Sequence, residues 1–296
     1  MIKNWLMAVR PKTLFASIAP VILGLTIAYT QQSSLNWIVA ILTLLAALLM
    51  QISSNLANDY LDSLRGTDTH ERLGPTRVTQ AGLISAYTMK KALVLTMSLA
   101  FLTGIYLMYA GGPVIVFFGL TSLYFAYGYT GGPYPLSYNG LGEIAAFLFF
   151  GIIAVTGTTY LQTHEFSRLA IILSTGPGFI SATILAINNL RDIETDRESR
   201  KKTIAVRFGH LFQRRLCLFL IASSSIVQLT VIYIFNYIWL FPAAFLSLFF
   251  YTNWLHIYTG PVDEKMNLAL ARTAQYLLFY CLLASTGLLL STGKLL

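Results

Sequence analysis

The strongest constraint on this chain is where its charges are missing. Five stretches, 13–58, 92–142, 169–190, 216–262 and 273–293, contain no Asp, Glu, Lys or Arg. The chain is 56% apolar and 11% charged, against roughly 25% charged in soluble domains, so its solvent is mostly lipid and a soluble enzyme is excluded.

A spanning helix takes about 20 apolar residues, so the longer stretches fold back on themselves. Breaks fall at Gln31-Gln32-Ser33-Ser34, at Gly111-Gly112-Pro113 and near Asn236, each a polar or helix-ending cluster. With a further span over 144–162, the pattern predicts an all-α membrane protein of nine transmembrane helices forming one integral-membrane domain over 1–296. Lys3, Arg10 and Lys12 precede the first apolar stretch, but no small-residue cleavage site closes it, so it is expected to be a retained span and not a signal peptide. Cys217 and Cys281 lie in expected spans without partner spacing, which suits core packing better than a disulfide or a metal site.

Imposing nine spans places 18 of the 20 Lys and Arg residues on one side, with Arg168 and Lys294 on the other. The positive-inside rule then puts the N-terminus and the two long charged loops in the cytoplasm of a cell (inner) membrane and the C-terminus outside. The net charge of +8 is a sided feature that orients the chain and attracts anionic lipid. No soluble basic domain is present to bind nucleic acid.

Acidic residues say more, because topology does not require them. Eight of the twelve fall in two places: Asp59, Asp62, Asp68 and Glu71 after the second span, and Asp192, Glu194, Asp196 and Glu198 after the sixth. At about 100° per residue, Asn58, Asp59 and Asp62 fall within one face of a helix. Asn188, Asp192 and Asp196, spaced by four, form a second stripe. A carboxylate at the bilayer centre costs roughly 2.5–3.5 kcal/mol on insertion scales, and a cation relieves that cost. Oxygen ligands without interleaved His or Cys favour a hard ion that shares its coordination with phosphate, which points to Mg²⁺. Arg65, Arg72 and Arg77 flank the first cluster and Arg191, Lys201, Lys202 and Arg207 the second. Acids for a metal with Arg and Lys for phosphate oxygens are the parts of a diphosphate site; the competing reading is ordinary solvated loop charge.

Between the clusters runs the uncharged segment 129–142, followed by Glu143. Tyr134, Tyr138 and Asn139 are candidates to orient an aromatic acceptor, and Glu143 is a candidate base or substrate contact. A Gly/Pro turn with interfacial tyrosine anchors would read the same way.

These residues resemble the UbiA superfamily of intramembrane prenyltransferases, and within it the 1,4-dihydroxy-2-naphthoate branch of menaquinone biosynthesis. Arg10-Pro11-Lys12-Thr13-Leu14 with Ala19-Pro20-Val21, residues 55–85, 129–143 and 188–209 carry the resemblance. Many members place a further Asp four residues after the position of Asp62; here Gly66 stands there and Asp68 follows, as in the naphthoate branch. The resemblance implies a nine-helix bundle around a central cavity, capped by cytoplasmic loops and open sideways to lipid. It implies that Asn58, Asp62, Asn188, Asp192 and Asp196 hold two Mg²⁺ ions on the diphosphate, with Asp59 and Asp68 in support. Asp62, Asp192 and Asp196 would be the catalytic carboxylates, and Lys12, Arg72, Arg77, Lys201 and Lys202 the diphosphate contacts. The implied reaction joins a polyprenyl diphosphate to 1,4-dihydroxy-2-naphthoate with loss of CO₂ and diphosphate, giving a demethylmenaquinone. Transfer to 4-hydroxybenzoate or homogentisate, or of a phytyl chain, are the alternatives within the superfamily. A cation transporter would instead place its acids near the middle of spans.

The division of basic residues generates a topology prediction. Single cysteines at Ser33 and Lys294, in a background lacking Cys217 and Cys281, should react with an impermeant thiol reagent from outside the cell. Labelling of both from the cytoplasmic side alone would reject nine spans.

Overall fold

The computed structural model describes residues 1–65 and 73–294, with the side chain of Lys12 excepted. Asp68 and Arg72 therefore lie outside the described residues, as does the Lys12 side chain. All regular structure among the described residues is helical: α1 (Ile2–Val9), α2 (Pro11–Gln32), α3 (Trp37–Arg65), α4 (Ala86–Gly128), α5 (Gly142–Phe147), a π-helical turn (Leu148–Ile153), α6 (Ala154–Thr163), α7 (Arg168–Arg191), α8 (Ile193–Glu198), α9 (Ile204–Phe235), α10 (Phe241–Phe249), α11 (Tyr251–Thr259) and α12 (Met266–Ser291). Lipid offers backbone groups no hydrogen bonds, so helices that satisfy their own are the expected solution.

Seven of these helical segments are long and apolar enough to cross a membrane, and eight if α10 and α11, bent by 42° with a 3-10 turn before them, form one span. The breaks fall where the sequence predicts. Ser33 ends α2 and Asn236 ends α9, each in the left-handed region at φ 60° and 57°. Gly112 interrupts α4 at φ 65°, ψ −158°, ahead of Pro113, a conformation glycine adopts without the Cβ penalty of other residues. Ser85, Ser167 and Thr203 cap α4, α7 and α9 by accepting from backbone N–H groups three residues on, which satisfies donors that the first helical turn leaves free.

The largest apolar core joins α2, α7, α9 and α12, with Tyr276, Tyr280 and Leu23 fully buried. A second cluster packs α1 and the polar end of α3 against 78–93. A third closes the opposite end of α3, α4 and α6 through Val39, Leu107, Ile115 and Leu161. Both cysteines are free and buried. Lys294 donates to Thr30 O at 2.7 Å and Ser33 Oγ at 2.6 Å, so residue 294 lies on the same face as the α2–α3 turn.

Two departures from α geometry shape the interior. A Cβ on Gly151 would meet Gly178 Cα at 2.5 Å, so the π turn sits directly on the α7 backbone. The wider π turn brings Phe149, Phe150 and Ile153 all to one cavity wall.

Candidate active site

A cavity of about 690 Å³ runs between α2, α3, α4, the α5–α6 segment, α7 and α12. Its inner part is apolar, walled by Phe118, Phe125, Phe149 and Phe150; the Phe125 and Phe149 rings lie 5.3 Å apart. Its other end is polar and collects Asn58 and Asp62 from α3, Asn188 and Asp192 from the end of α7, and Asp196 from α8. The two Asn/Asp clusters, remote in sequence, therefore face one space.

Each cavity carboxylate is matched by a cation. Arg77 Nη2 lies 2.9 Å from Asp62 Oδ2, Arg191 Nη2 2.6 Å from Asp192 Oδ2, and Lys201 Nζ 3.2 Å from Asp196 Oδ1. Arg191 holds Asp192 with Nε as well, at 2.7 Å, and donates to Asn188 Oδ1 at 2.8 Å and Asn267 Oδ1 at 2.7 Å. Such charge-assisted, bidentate pairing is the form in which buried ions are tolerated. Burial pushes the Lys201 ammonium towards lower pKa, but Asp196 and then Asp62 outweigh it and hold the group above its ordinary value. Tyr129 lines the same space; burial first, then the carboxylates of Glu143, Asp196 and Asp62, raise its phenol far above the ordinary value. It remains a neutral hydroxyl.

The stripe expected over Asn188, Asp192 and Asp196 is not one straight helix. α7 ends at Arg191, and Asp192 caps it at φ −97°, ψ 14° before α8 begins. Backbone bonds from Asp192 N to Asn188 O and from Asp196 N to Asp192 O, at 3.1 and 2.8 Å, carry the helical register through the bend. All three side chains keep to the cavity.

Other expected site residues lie elsewhere. Asp59 does not line the cavity: it is buried beneath the segment after α3, accepting from Val78 N at 3.2 Å and Thr79 N at 2.9 Å. Its 60° offset from Asp62 turns it towards that segment, where it holds the backbone carrying Arg77. Glu143 is buried behind the wall, accepting from Asn189 Nδ2 and Gln213 Nε2, both at 3.0 Å. Tyr134 is 61% exposed. Tyr138 and Asn139 belong to the loop scaffold: Arg65 and Lys201 lie over the Tyr138 ring, and Asn139 Nδ2 donates to Pro135 O. Lys202 is exposed, and its backbone N–H donates to Tyr138 O at 2.8 Å. The 129–142 loop thereby docks on the 201–203 segment and roofs the polar end.

The structure adds Arg10, Tyr129, Asn189 and Arg191 to the lining. Arg10 stands at φ 54° between α1 and α2; an unusual backbone conformation ahead of Pro11 leaves no signal in a charge pattern. Arg191 was visible beside the second acidic cluster, but only folding shows that it clamps Asp192.

The residues present suit Mg²⁺ in chemistry. The carboxylate and amide groups that line the polar end offer oxygen, as do the Ser, Thr and Tyr hydroxyls around them, and no His or Cys stands among the lining residues. Among the described residues, no three acidic, His or Cys groups converge to cage an ion. Mg²⁺ held by one or two carboxylates and substrate phosphates needs no such cage.

A polar mouth of paired acids and bases opening into an aromatic-walled apolar chamber, all within a membrane bundle, defines an intramembrane enzyme for a substrate with an anionic head and an apolar body. The chain belongs to the UbiA prenyltransferase family, which its residues 17–271 match. It is 35% identical to the 1,4-dihydroxy-2-naphthoate octaprenyltransferase of Haemophilus influenzae, over 98% of this chain and 96% of that one. It is 40% identical to the enzyme of the same name from Escherichia coli, over 75% and 74%. A UbiA homolog from Archaeoglobus fulgidus bound to GPP and Mg²⁺ shares the fold with a TM-score of 0.73 at 17% identity, over 96% of this chain and 99% of that one.

The placement of Asp59 generates a prediction. Asp59→Ala strips two buried N–H groups of a charged acceptor, each such bond being worth about 1.5–3 kcal/mol. The purified variant should melt several degrees below the parent, and its KM for a prenyl diphosphate should rise as Arg77 loses its platform. An unchanged melting temperature would show that Asp59 has another role.

Proposed function

We propose that the protein transfers a polyprenyl group from polyprenyl diphosphate to 1,4-dihydroxy-2-naphthoate, releasing CO₂ and diphosphate and yielding the quinol form of demethylmenaquinone. The observation that carries this reading is the convergence of both Asn/Asp clusters on one chamber, in a chain whose near full-length relatives carry that activity in their names.

The residues divide the work by charge. Arg77, Arg191 and Lys201 exchange their carboxylate partners for phosphate oxygens, while Asn58, Asp62, Asn188, Asp192 and Asp196 present oxygens to Mg²⁺. The bound Mg²⁺ supplies positive charge that stabilises the leaving diphosphate. The allylic C–O bond breaks with its electron pair on the diphosphate, and a ring carbon of the electron-rich naphthoate forms the new C–C bond. Loss of CO₂ returns the electron pair of the carboxyl bond to the ring. Phe118, Phe125, Phe149 and Phe150 exclude water and turn aromatic faces to the cationic carbon.

The same reading includes nine crossings of the inner membrane. α4 has 43 residues, about 65 Å at 1.5 Å per residue, or twice a hydrocarbon core of roughly 30 Å. The break at Gly112 supports two spans there, and α10 with α11 supports one more. An odd number sets the termini on opposite sides, with the N-terminus, the site and its roofing loops cytoplasmic by the positive-inside rule.

Two measurements test the chemistry. Excess EDTA should abolish turnover, Mg²⁺ should restore it fully and Mn²⁺ partly, and Asp62→Asn or Asp192→Asn should lower kcat by about 10²-fold or more, the scale for losing an electrostatic contact to a leaving group, without lowering the melting temperature by more than a few degrees. Separately, purified enzyme given farnesyl, geranylgeranyl and longer diphosphates against a panel of acceptors should yield a decarboxylated prenyl naphthoquinol by mass spectrometry. Turnover with 4-hydroxybenzoate and none with the naphthoate would remove the assignment.

A further inference from the structure

The polar end of the cavity is built largely from ions that suit a diphosphate and its metal, yet one lining group has a different character. Asn189 is buried, lines the cavity and donates Nδ2 to Glu143 Oε1 at 3.0 Å. Gln213, fully buried behind it, donates Nε2 to the same Glu143 oxygen at 3.0 Å and to Ala186 O at 3.1 Å. A carboxylate oxygen accepts hydrogen bonds, and so does a carbonyl. Neither amide can turn over without losing its bonds and setting oxygen against oxygen.

The Asn189 amide is therefore locked with its nitrogen on Glu143, which leaves Oδ1 as the atom offered to the cavity. Adjacent Asn188 differs: its Oδ1 already accepts from Arg191 Nη2 at 2.8 Å. Successive helical positions point about 100° apart, so the two asparagines serve different neighbours. A neutral carbonyl oxygen repels phosphate oxygens and attracts a hydroxyl proton. Within a site dominated by cations and carboxylates, it is suited to the substrate that carries hydroxyls.

We propose that Asn189 Oδ1 accepts a hydrogen bond from a ring hydroxyl of the aromatic acceptor, and that Glu143 is the positioning residue that holds the amide in this orientation. The inference rests on the acceptor being a hydroxylated aromatic ring, as argued above. It moves Glu143 from direct substrate contact to the layer behind, and makes Asn189 a determinant of acceptor specificity. A site that bonds a hydroxyl discriminates against an analogue lacking it, because the site's buried polar atom is then left without a partner.

The test uses the full chain in lipid nanodiscs with Mg²⁺ and geranylgeranyl diphosphate. Steady-state kinetics compare 1,4-dihydroxy-2-naphthoate with its two monohydroxy analogues, and equilibrium binding of each is measured without donor. The parent should disfavour one analogue by about tenfold or more in binding, the scale of one hydrogen bond to a neutral group. Asn189→Ala should raise the acceptor KM about tenfold, leave the donor KM within twofold, and erase that discrimination. Glu143→Met, which keeps the length of the side chain and removes the acceptor, frees the Asn189 amide to turn while Gln213 keeps its bond to Ala186 O; it should shift the same quantities in the same direction by a smaller factor, and it decides the matter if Asn189→Ala fails to fold. Unchanged discrimination in a folded variant, or a rise in donor KM in place of acceptor KM, overturns the proposal. If the parent prenylates a different phenol and no naphthoate, the functional reading fails by itself, and the same comparison on that phenol and its deoxy analogue still decides the role of Asn189.

Discussion

Charge inside a low-dielectric bundle must be neutralised where it stands, and that requirement organises the polar end of this protein. Asp62 with Arg77, Asp192 with Arg191 and Asp196 with Lys201 form three close pairs around one cavity. Isolated, each ion would carry a desolvation cost of several kcal/mol. Paired, they assemble a site whose cations and anions are both available to exchange partners. On the proposed function, a metal-bearing diphosphate would bring the complementary set, with cations for the aspartates and oxygens for the arginines and the lysine. The internal pairs would then mirror the pairs that such a substrate forms.

The helices that carry these groups are distorted where the cavity needs it. α7 bends at Asp192, so that Asp192 and Asp196 stay with Asn188 and do not follow a straight axis out of the bundle. The π turn at 148–153 adds width beside the chamber, and the contact of Gly151 with Gly178 anchors that turn to α7. Breaks in regular helix at functional walls are a recurrent feature of such sites. Here they lie beside the cavity that joins the aromatic chamber to the ionic mouth.

Much of the site was legible because it violates the hydropathy of its surroundings. Asn58, Asp62, Asn188, Asp192 and Asp196 stand out as polar residues at the ends of apolar helices, and the fold brings all five to one space. Asp59 carries the same chemical signal and a different task, since about 60° of helical rotation directs it to the Val78 and Thr79 amides. Tyr134, Tyr138, Asn139 and Lys202 share a segment or a charge cluster with the site, but they build or decorate its roof. Glu143 is similar: an acid at the head of a span reads as a substrate contact, whereas its partners are Asn189 and Gln213.

By itself, the sequence determined the solvent, the helical class and the sites of the helix breaks, because hydropathy, charge placement and Gly/Pro chemistry act locally and along one dimension. It also determined the kind of chemistry, because carboxylates and amides without His or Cys select hard ions whatever their arrangement. Only the tertiary structure decided which polar side chain meets which. That choice depends on the meeting of segments more than a hundred residues apart, such as those that bring Asn58 and Asp192 to one cavity, and on rotations of tens of degrees that place one acid in a cavity and its neighbour in a wall. The orientation of the Asn189 amide belongs to this second kind: it is dictated by one acceptor, Glu143 on another helix, which Gln213 fixes from behind by donating to the same oxygen, and no reading along the chain brings the three together.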